Sequence, residues 1–277
     1  MQLNDGLGSI DVPVREFSYD SGAAGPELIR AVAVEAPVQI VIGGSPFAVM
    51  MATPGDLEDF AYGFALTEQI VETVSDIRAV EVESDGDGWR LKLALSGERL
   101  QAHLARGRAM SGRTGCGLCG IEDFSQMPSP RPPSRPQAPI APEAIGAGLA
   151  ALETRQPLNQ ATRAVHAAAW CGRDGAMFLV REDVGRHNAL DKAIGALARA
   201  KVAPDSGFFV ITSRCSFEMV AKVAIFGAGT LVSVSAPTSL ALERARRFGV
   251  RVIAVARRDQ ALCFENGRGE VSGGMAA

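Results

Sequence analysis

The chain has 277 residues, of which 47% are hydrophobic and 21% charged, and its net charge is −3. This much apolar material excludes a mainly disordered chain. The slightly acidic balance argues against a globally basic nucleic-acid binder and leaves a local basic patch open. The five cysteines are an odd number, and the first residues lack an apolar run. Both features argue against a secreted disulfide scaffold, so we expect the reducing cytoplasm. Residues 223–242 carry no charge, but their Gly, Ser and Pro content predicts protein core and no membrane helix.

The first half of the chain is patterned for β-structure. Apolar runs over 38–42 and 47–51 flank a Gly-Gly-Ser-Pro sequence, which predicts a hairpin. Runs over 80–82 and 89–95 flank Asp85-Gly86-Asp87-Gly88, which predicts a second hairpin.

A helix is predicted between the two hairpins. Thr53-Pro54-Gly55-Asp56 is typical of a helix start, with Thr53 as the capping residue. The apolar residues that follow have the spacing of a single helical face: Leu57, Phe60, Ala61 and Phe64.

Residues 128–142 hold seven of the fifteen prolines, which predicts a semi-extended linker. A surface loop within one domain is the alternative. With a linker, the chain divides into an N-terminal extension over 1–34, a β-rich α+β domain over 35–127 and an α/β domain over 143–277.

The second half alternates between strand and helix patterns. Strands are predicted over 177–180, 208–212, 231–234 and 250–255, and helices over 187–200, 216–226 and 239–248. This alternation predicts an α/β layered domain whose helices cover a sheet.

Polar loops follow three of these strands. The first is Glu182-Asp183-Val184-Gly185-Arg186-His187-Asn188, the second Ser213-Arg214-Cys215-Ser216 and the third Ser235-Ala236-Pro237-Thr238-Ser239. Helix capping alone explains each loop, but together at the carboxyl ends of strands they predict a shared ligand-binding rim. Arg186 and His187 would stand at a helix N-terminus, where anions bind. Arg257 and Arg258, after the last strand, are candidates for a phosphate contact.

A glycine-rich loop, Gly112 to Gly120, carries Cys116 and Cys119 as a Cys-x-x-Cys pair. Three chemistries fit such a pair: two ligands of a zinc site, a thioredoxin-like dithiol, or a cysteine that carries sulfur as a persulfide. The zinc interpretation lacks a second ligand pair, and the glycines are atypical of a dithiol at a helix start. The motif alone leaves all three open.

Two enzyme classes are excluded by missing motifs. Zinc deaminases need His-x-Glu and Pro-Cys-x-x-Cys, and neither occurs. A nucleotide hydrolase with a P-loop is excluded in the same way.

Four blocks in this order resemble the FdhD family, the sulfurtransferases that serve as formate dehydrogenase accessory proteins. They are residues 50–60, residues 114–120, residues 182–192, and residues 216–220 together with 234–240. The likeness extends over roughly residues 35 to 265 at the approximate length of the family.

The resemblance implies that persulfide sulfur arrives from a cysteine desulfurase. The sulfur then passes to the molybdenum or tungsten bis(guanine dinucleotide) cofactor, which is bound as a substrate. The cofactor is afterwards inserted into apo-formate dehydrogenase. It also implies a second domain with the cytidine-deaminase fold, a homodimer, and binding of guanine nucleotide. Cys116 matches the persulfide cysteine and Cys119 its partner.

By position, the cofactor loop of the family matches residues 255–260. Together with the rim, the expected cofactor-binding residues are Val255, Ala256, Arg257, Arg258, Asp259, Gln260, Arg186, His187, Ser213 and Ser235. Cys215 is either a bystander or a second acceptor thiol. The competing hypothesis is a cofactor-binding chaperone, in which the Cys-x-x-Cys pair is structural or binds zinc and no sulfur is transferred.

Overall fold

A computed structural model describes residues 8–20, 22–86, 88–101, 130, 137–257 and 259–264. The predictions for Cys116, Cys119, Arg258 and most of the proline-rich segment lie outside these residues.

The secondary structure consists of strands, α-helices and one 3₁₀ turn. The strands are β1 (Ser9–Phe17), β2 (Ala24–Ala33), β3 (Ala36–Ile42), β4 (Ser45–Ala52), β5 (Ile77–Asp85), β6 (Gly88–Leu95), β7 (His166–Gly172), β8 (Met177–Asp183), β9 (Gly207–Ile211), β10 (Thr230–Ser233), β11 (Arg251–Ala254) and β12 (Leu262–Phe264). The helices are α1 (Leu57–Thr67), α2 (Pro142–Thr154), α3 (Pro157–Thr162), α4 (Arg186–Arg199), α5 (Phe217–Phe226) and α6 (Ser239–Phe248), and the 3₁₀ turn is Val74–Asp76. Residues 97–101 are also helical.

The first half forms a four-stranded sheet in the order β4-β3-β6-β5. Both predicted hairpins are confirmed, and Gly43 and Gly44 make the first turn with positive φ angles of 56° and 84°. Helix α1 lies on the sheet, and its predicted apolar face is buried in a common core with β3 and β6. The interpretation of the helix and its face is therefore confirmed.

The predicted capping role of Thr53 is wrong. The helix begins at Leu57, and its N-cap is Asp56 in the left-handed region without a side-chain cap. Thr53 is buried and contacts the second half of the chain instead. Its amide donates to Asp183 Oδ2 at 3.0 Å, and its hydroxyl accepts the Val184 amide at 3.2 Å.

The second half forms a six-stranded sheet in the order β12-β11-β10-β9-β7-β8. Helices α4, α5 and α6 share a core with one face, and α2 packs on the other. Neighbouring residues such as Phe208 and Phe209 are buried on opposite faces, as expected for a covered strand. The mixed α/β class is thus confirmed, and residues 223–242 are divided among α5, β10 and α6. No helix in the described part of the chain is long and apolar enough to span a membrane.

Strands β1 and β2 form a β-hairpin that the sequence patterns did not predict. In the described part of the chain, this hairpin is a separate two-stranded sheet. Large apolar side chains on this hairpin face solvent, with exposed fractions of 63% for Phe17, 92% for Tyr19 and 66% for Ile29. Two-stranded sheets are marginally stable in water on their own.

The two halves meet where α1 crosses α4. A Cβ atom added to Gly63 of α1 would lie 1.7 Å from the Asp191 carbonyl oxygen, and one added to Gly195 of α4 would lie 1.9 Å from the Asp59 carbonyl oxygen. The helix backbones therefore touch, and only glycine fits at these two positions.

We expect Gly63→Ala to destabilise the protein by about 1–3 kcal/mol or more, because its methyl group would collide with backbone that cannot rotate away. Gly146→Ala is the matched control, since Gly146 lies in helix α2 with no atom within 4 Å of the added Cβ. That control should be neutral or stabilising by about 0.5–1 kcal/mol. Urea unfolding of both variants measures the difference, and equal stabilities would contradict the close crossing.

Candidate functional site

The polar loops of the second half meet at one edge of the six-stranded sheet. Strands β9, β10 and β11 are parallel, and β8 runs in the same direction because both β8 and β9 are antiparallel to β7. Their carboxyl ends therefore share one edge, where the antiparallel β7 begins with His166. We call this edge the rim and define it by residues 166, 184–187, 213–216, 233–238 and 255–257.

Hydrogen bonds join the rim loops to one another. The buried Ser233 hydroxyl lies 2.8 Å from the Ser213 carbonyl oxygen and 2.9 Å from that of Ser235. The Thr238 amide donates to the Cys215 carbonyl oxygen at 3.0 Å. Ser213 and Ser235, both expected cofactor-binding residues, are thus brought together, while Ser233 is a structural tie that the sequence patterns did not single out.

The 255–260 segment closes the rim next to these loops. The Val255 amide donates to the Ser235 carbonyl oxygen at 3.1 Å, and Val255 has a positive φ of 52°. Arg257 is exposed and donates from Nη1 to the Val234 carbonyl oxygen at 2.5 Å. Asp259 and Gln260 are exposed as well, whereas Ala256 is buried and faces the core. The structure therefore offers the backbone and Arg257 to a ligand, but not the Ala256 side chain.

Three buried polar atoms on the rim have no hydrogen-bond partner in the described part of the chain: Arg186 Nε, His187 Nε2 and Ser216 Oγ. Arg186 and His187 start α4, and Ser216 is the N-cap of α5 but makes no capping bond. Thr238 at the start of α6 does cap its helix, by accepting the Ala241 amide at 3.3 Å. Since buried polar groups are almost always paired, these three atoms make the rim a candidate ligand-binding site. Sequence patterns named Arg186 and His187 as cofactor-binding residues, and placed Ser216 in a rim loop without naming it as one of them.

His187 is held neutral by its surroundings. Burial, followed by the positive charges of Lys222 and Arg186, lowers its pKa to about 4, although Glu218 opposes the shift. The pKa of His166 is also lowered, chiefly by burial and by Arg186. At neutral pH both imidazoles are uncharged, so each can donate one hydrogen bond and accept another.

Two buried lysine–aspartate pairs lie beside the rim. Lys192 Nζ is 2.6 Å from Asp183 Oδ2, and Lys222 Nζ is 2.9 Å from Asp191 Oδ2. Asp191 also accepts the Thr67 hydroxyl of α1 at 2.7 Å, so this pair connects the two halves. Burial raises the pKa of Asp191 to about 6, and Lys222 opposes that shift. Sequence patterns placed Asp183 and Lys192 within a polar block but assigned no role to either.

Two of the three described cysteines are poorly suited to sulfur chemistry. Cys215 and Cys171 are fully buried, and burial raises the pKa of each thiol to about 12. Since the thiolate is the nucleophile, Cys215 is unsuited as a second acceptor and fits the bystander interpretation. Cys263 is exposed on the edge strand β12. In the described part of the chain, no group of three His, Cys, Asp or Glu residues could hold a metal ion.

The rim is suited to binding an anion. Arg186 supplies a permanent positive charge, α4 and α5 start there with free amides, and the three unpartnered atoms are all able to donate hydrogen bonds.

Residues 33–269 match the model of the FdhD/NarQ family. The chain belongs to the FdhD/NarQ family. It is 46% identical to the sulfur carrier protein FdhD of Xanthomonas axonopodis pv. citri over 244 residues, which covers 88% of this chain and 87% of that protein. The protein of the same name from Bordetella petrii is 44% identical over 235 residues, covering 85% and 84% of the two chains.

The fold of this FdhD/NarQ member also occurs in a solved structure. A crystal structure of a putative formate dehydrogenase accessory protein from Desulfotalea psychrophila superposes with a TM-score of 0.70. The match covers 92% of this chain and 96% of that one, at 23% identity. At that identity the likeness establishes the fold alone.

We expect His187 to make stability depend on pH. Its pKa is about 4 when folded and near 6.5 when unfolded, so its stabilising contribution is complete above pH 6.5 and is lost as the pH falls toward 4. Between pH 7 and pH 4.5, the free energy of unfolding of His187→Gln should therefore fall by about 2–3 kcal/mol less than that of wild type. Urea unfolding of both proteins at three pH values measures this, because contributions such as that of Asp191 are common to both. Parallel stability profiles would contradict a buried neutral imidazole.

Proposed function

We propose that this chain is a sulfur carrier that takes persulfide sulfur from a cysteine desulfurase and passes it to the molybdenum or tungsten bis(guanine dinucleotide) cofactor of formate dehydrogenase. Membership of the FdhD/NarQ family and the similarity to sulfur carrier proteins named FdhD support the sulfur-carrier role. The structural observation that carries the proposal is the rim, with its three unpartnered buried donors beside the 255–260 segment.

In this proposal the rim holds the cofactor as a substrate. Arg186 and the amides at the starts of α4 and α5 would bind pyrophosphate oxygens, and the Ser216 hydroxyl would donate a further hydrogen bond. The 255–260 segment, with Arg257 exposed and the Val255 backbone fixed by Ser235, would lie against a guanine nucleotide. The neutral His187 adds a donor without adding charge.

Cys116 would carry the sulfur. Its thiolate attacks the outer sulfur of the persulfide on the desulfurase, a new S–S bond forms on Cys116, and the cysteine of the desulfurase leaves as a thiolate. This step needs no external oxidant or reductant. Cys119 would assist the relay or protect the persulfide. The raised pKa of Cys215 and Cys171 supports the assignment to the Cys-x-x-Cys pair, because these two buried thiols are poor nucleophiles.

The proposed setting is the cytoplasm, with a cysteine desulfurase and apo-formate dehydrogenase as partners and with two copies of the chain as a homodimer. The apolar side chains exposed on the β1–β2 hairpin support an interface between copies. Nucleic-acid-binding proteins usually carry a basic surface, whereas the net charge of this chain is −3. We therefore propose no nucleic acid as a partner.

Cys116→Ala should abolish sulfur loading. After incubation with a cysteine desulfurase and free cysteine, intact-mass spectrometry should show one added sulfur on wild type and on the control Cys263→Ala, and none on Cys116→Ala. Maturation of formate dehydrogenase should be lost with the same variant. Loading that persists in Cys116→Ala would contradict the assignment. No loading of any variant, with bound zinc in the sample, would favour the chaperone hypothesis.

Arg186→Gln should weaken the binding of guanosine diphosphate by about tenfold, because it removes a charge-assisted hydrogen bond to phosphate. Arg251→Gln is the matched control, since Arg251 starts β11 at the opposite edge of the same sheet. Isothermal titration calorimetry of both variants with guanosine diphosphate, and with guanosine as the phosphate-free probe, tests the rim. Equal losses in both variants would show that the anion does not bind there.

A further inference from the structure

Asp183 is the last residue of β8, is fully buried, and has both carboxylate oxygens saturated. Its Oδ1 accepts the Gly185 amide at 2.8 Å and the Asn188 side-chain amide at 3.0 Å. Its Oδ2 accepts the Thr53 amide at 3.0 Å and lies 2.6 Å from Lys192 Nζ. The Asp183 carboxylate thus accepts hydrogen bonds from the turn after β8, from the first turn of α4 and from the first half of the chain.

Lys192 completes this arrangement from within α4. Its side chain is fully buried, and Nζ also donates to the Thr53 carbonyl oxygen at 2.8 Å. The side-chain amide of Asn188 reaches the Met51 carbonyl oxygen at 2.8 Å. Removing one partner of a buried ion pair is strongly destabilising, so Asp183 and Lys192 are replaced together in the variants below.

The turn that Asp183 fastens has little room to move. A Cβ atom added to Gly185 would lie 2.7 Å from Asn188 Nδ2 and 3.4 Å from Asp183 Oδ1. Arg186 and His187 follow this glycine directly, and Arg186 Nε and His187 Nε2 have no partner among the described residues. Since these nitrogens are not held by hydrogen bonds of their own, the fixed backbone before them determines where they lie.

We propose that Asp183 is a positioning residue for the rim. Its acceptor oxygen fixes the turn over residues 183–187, with Lys192 as the buried partner of the same carboxylate, and this turn holds the Arg186 and His187 side chains toward the anionic groups of the bound cofactor. The proposal rests on the proposed function for what binds at the rim. The fixed position of the two side chains is a separate claim that can be tested without a ligand.

The proposed readout is an NMR titration of the His187 imidazole, which gives its pKa. This pKa distinguishes positioning of the side chain from simple stabilisation of the fold. It is about 4 when burial and the charges of Lys222 and Arg186 act on it, and Glu218 and His166 are the other titrating groups that influence it. A released side chain would return toward 6.5, the ordinary value.

In Asp183→Val/Lys192→Met the pair is replaced by apolar groups, and the acceptor for the Gly185 amide is lost. We expect the pKa of His187 to rise toward 6.5 and affinity for guanosine diphosphate to fall at least about tenfold. Asp183→Asn/Lys192→Met keeps an acceptor oxygen for Gly185 and Asn188. It should therefore retain the low pKa of His187 and most of the affinity.

The matched control is Asp59→Asn/Arg199→Met. Asp59 on α1 is 6% exposed, and its Oδ1 lies 2.5 Å from Arg199 Nη1 at the far end of α4, so this variant removes a different ion pair of the same helix, α4, away from the turn. It should leave the pKa of His187 near 4. An equal rise in the control, or an unchanged pKa in folded Asp183→Val/Lys192→Met, would overturn the proposal.

If Asp183→Val/Lys192→Met does not fold, Gly185→Ala provides the test instead. Its methyl group disturbs the same turn without altering the charged pair, and an unchanged pKa of His187 in this variant would likewise overturn the proposal. A wild-type protein that fails to bind guanosine diphosphate would count against the proposed function alone, because the pKa series gives its answer without the nucleotide.

Discussion

The close crossing of α1 and α4 is the constraint on which the other inter-half contacts depend. Because Gly63 and Gly195 have no side chains, the two helix backbones touch, and short polar side chains span the gap between the halves. The Thr67 hydroxyl of α1 donates to Asp191 of α4 across this gap at 2.7 Å. At a more usual helix spacing of about 8–10 Å between axes, groups this short would be separated by water or by other side chains.

Buried charges at this interface are paired, and this has consequences for the rim. Lys222 and Lys192 are both buried and each faces a buried aspartate, so neither leaves an uncompensated charge. Lys222 nevertheless acts on the neighbouring imidazole and helps to keep His187 neutral. The Lys222–Asp191 pair therefore contributes both to the interface between the halves and to the electrostatics of the candidate site.

Much of this architecture could be predicted from the sequence, because α/β alternation leaves strong local signals. The rim was predictable because carboxyl ends of parallel strands share an edge. Strand β7 was missed because the Ala-rich sequence His166–Gly172 has weak strand propensity, and its place between β8 and β9 is set by tertiary pairing. Thr53 was misinterpreted because a local capping pattern cannot show that a carboxylate 130 residues away competes for the same groups.

The long-range nature of these contacts bears on how the protein is made. In the second half of the chain, α1 and the segment before it have hydrogen-bond partners that lie 122 to 155 residues further along. Among them are Asp183, Asp191 and Lys222. During synthesis on the ribosome, the N-terminal half emerges long before these residues exist. The polar groups with which it contacts the second half, including Asp59 and Thr67, therefore lack their partners until the second half has been translated. Completion of the rim is therefore tied to the end of translation, and a truncated chain would present an unfinished surface for quality control to recognise.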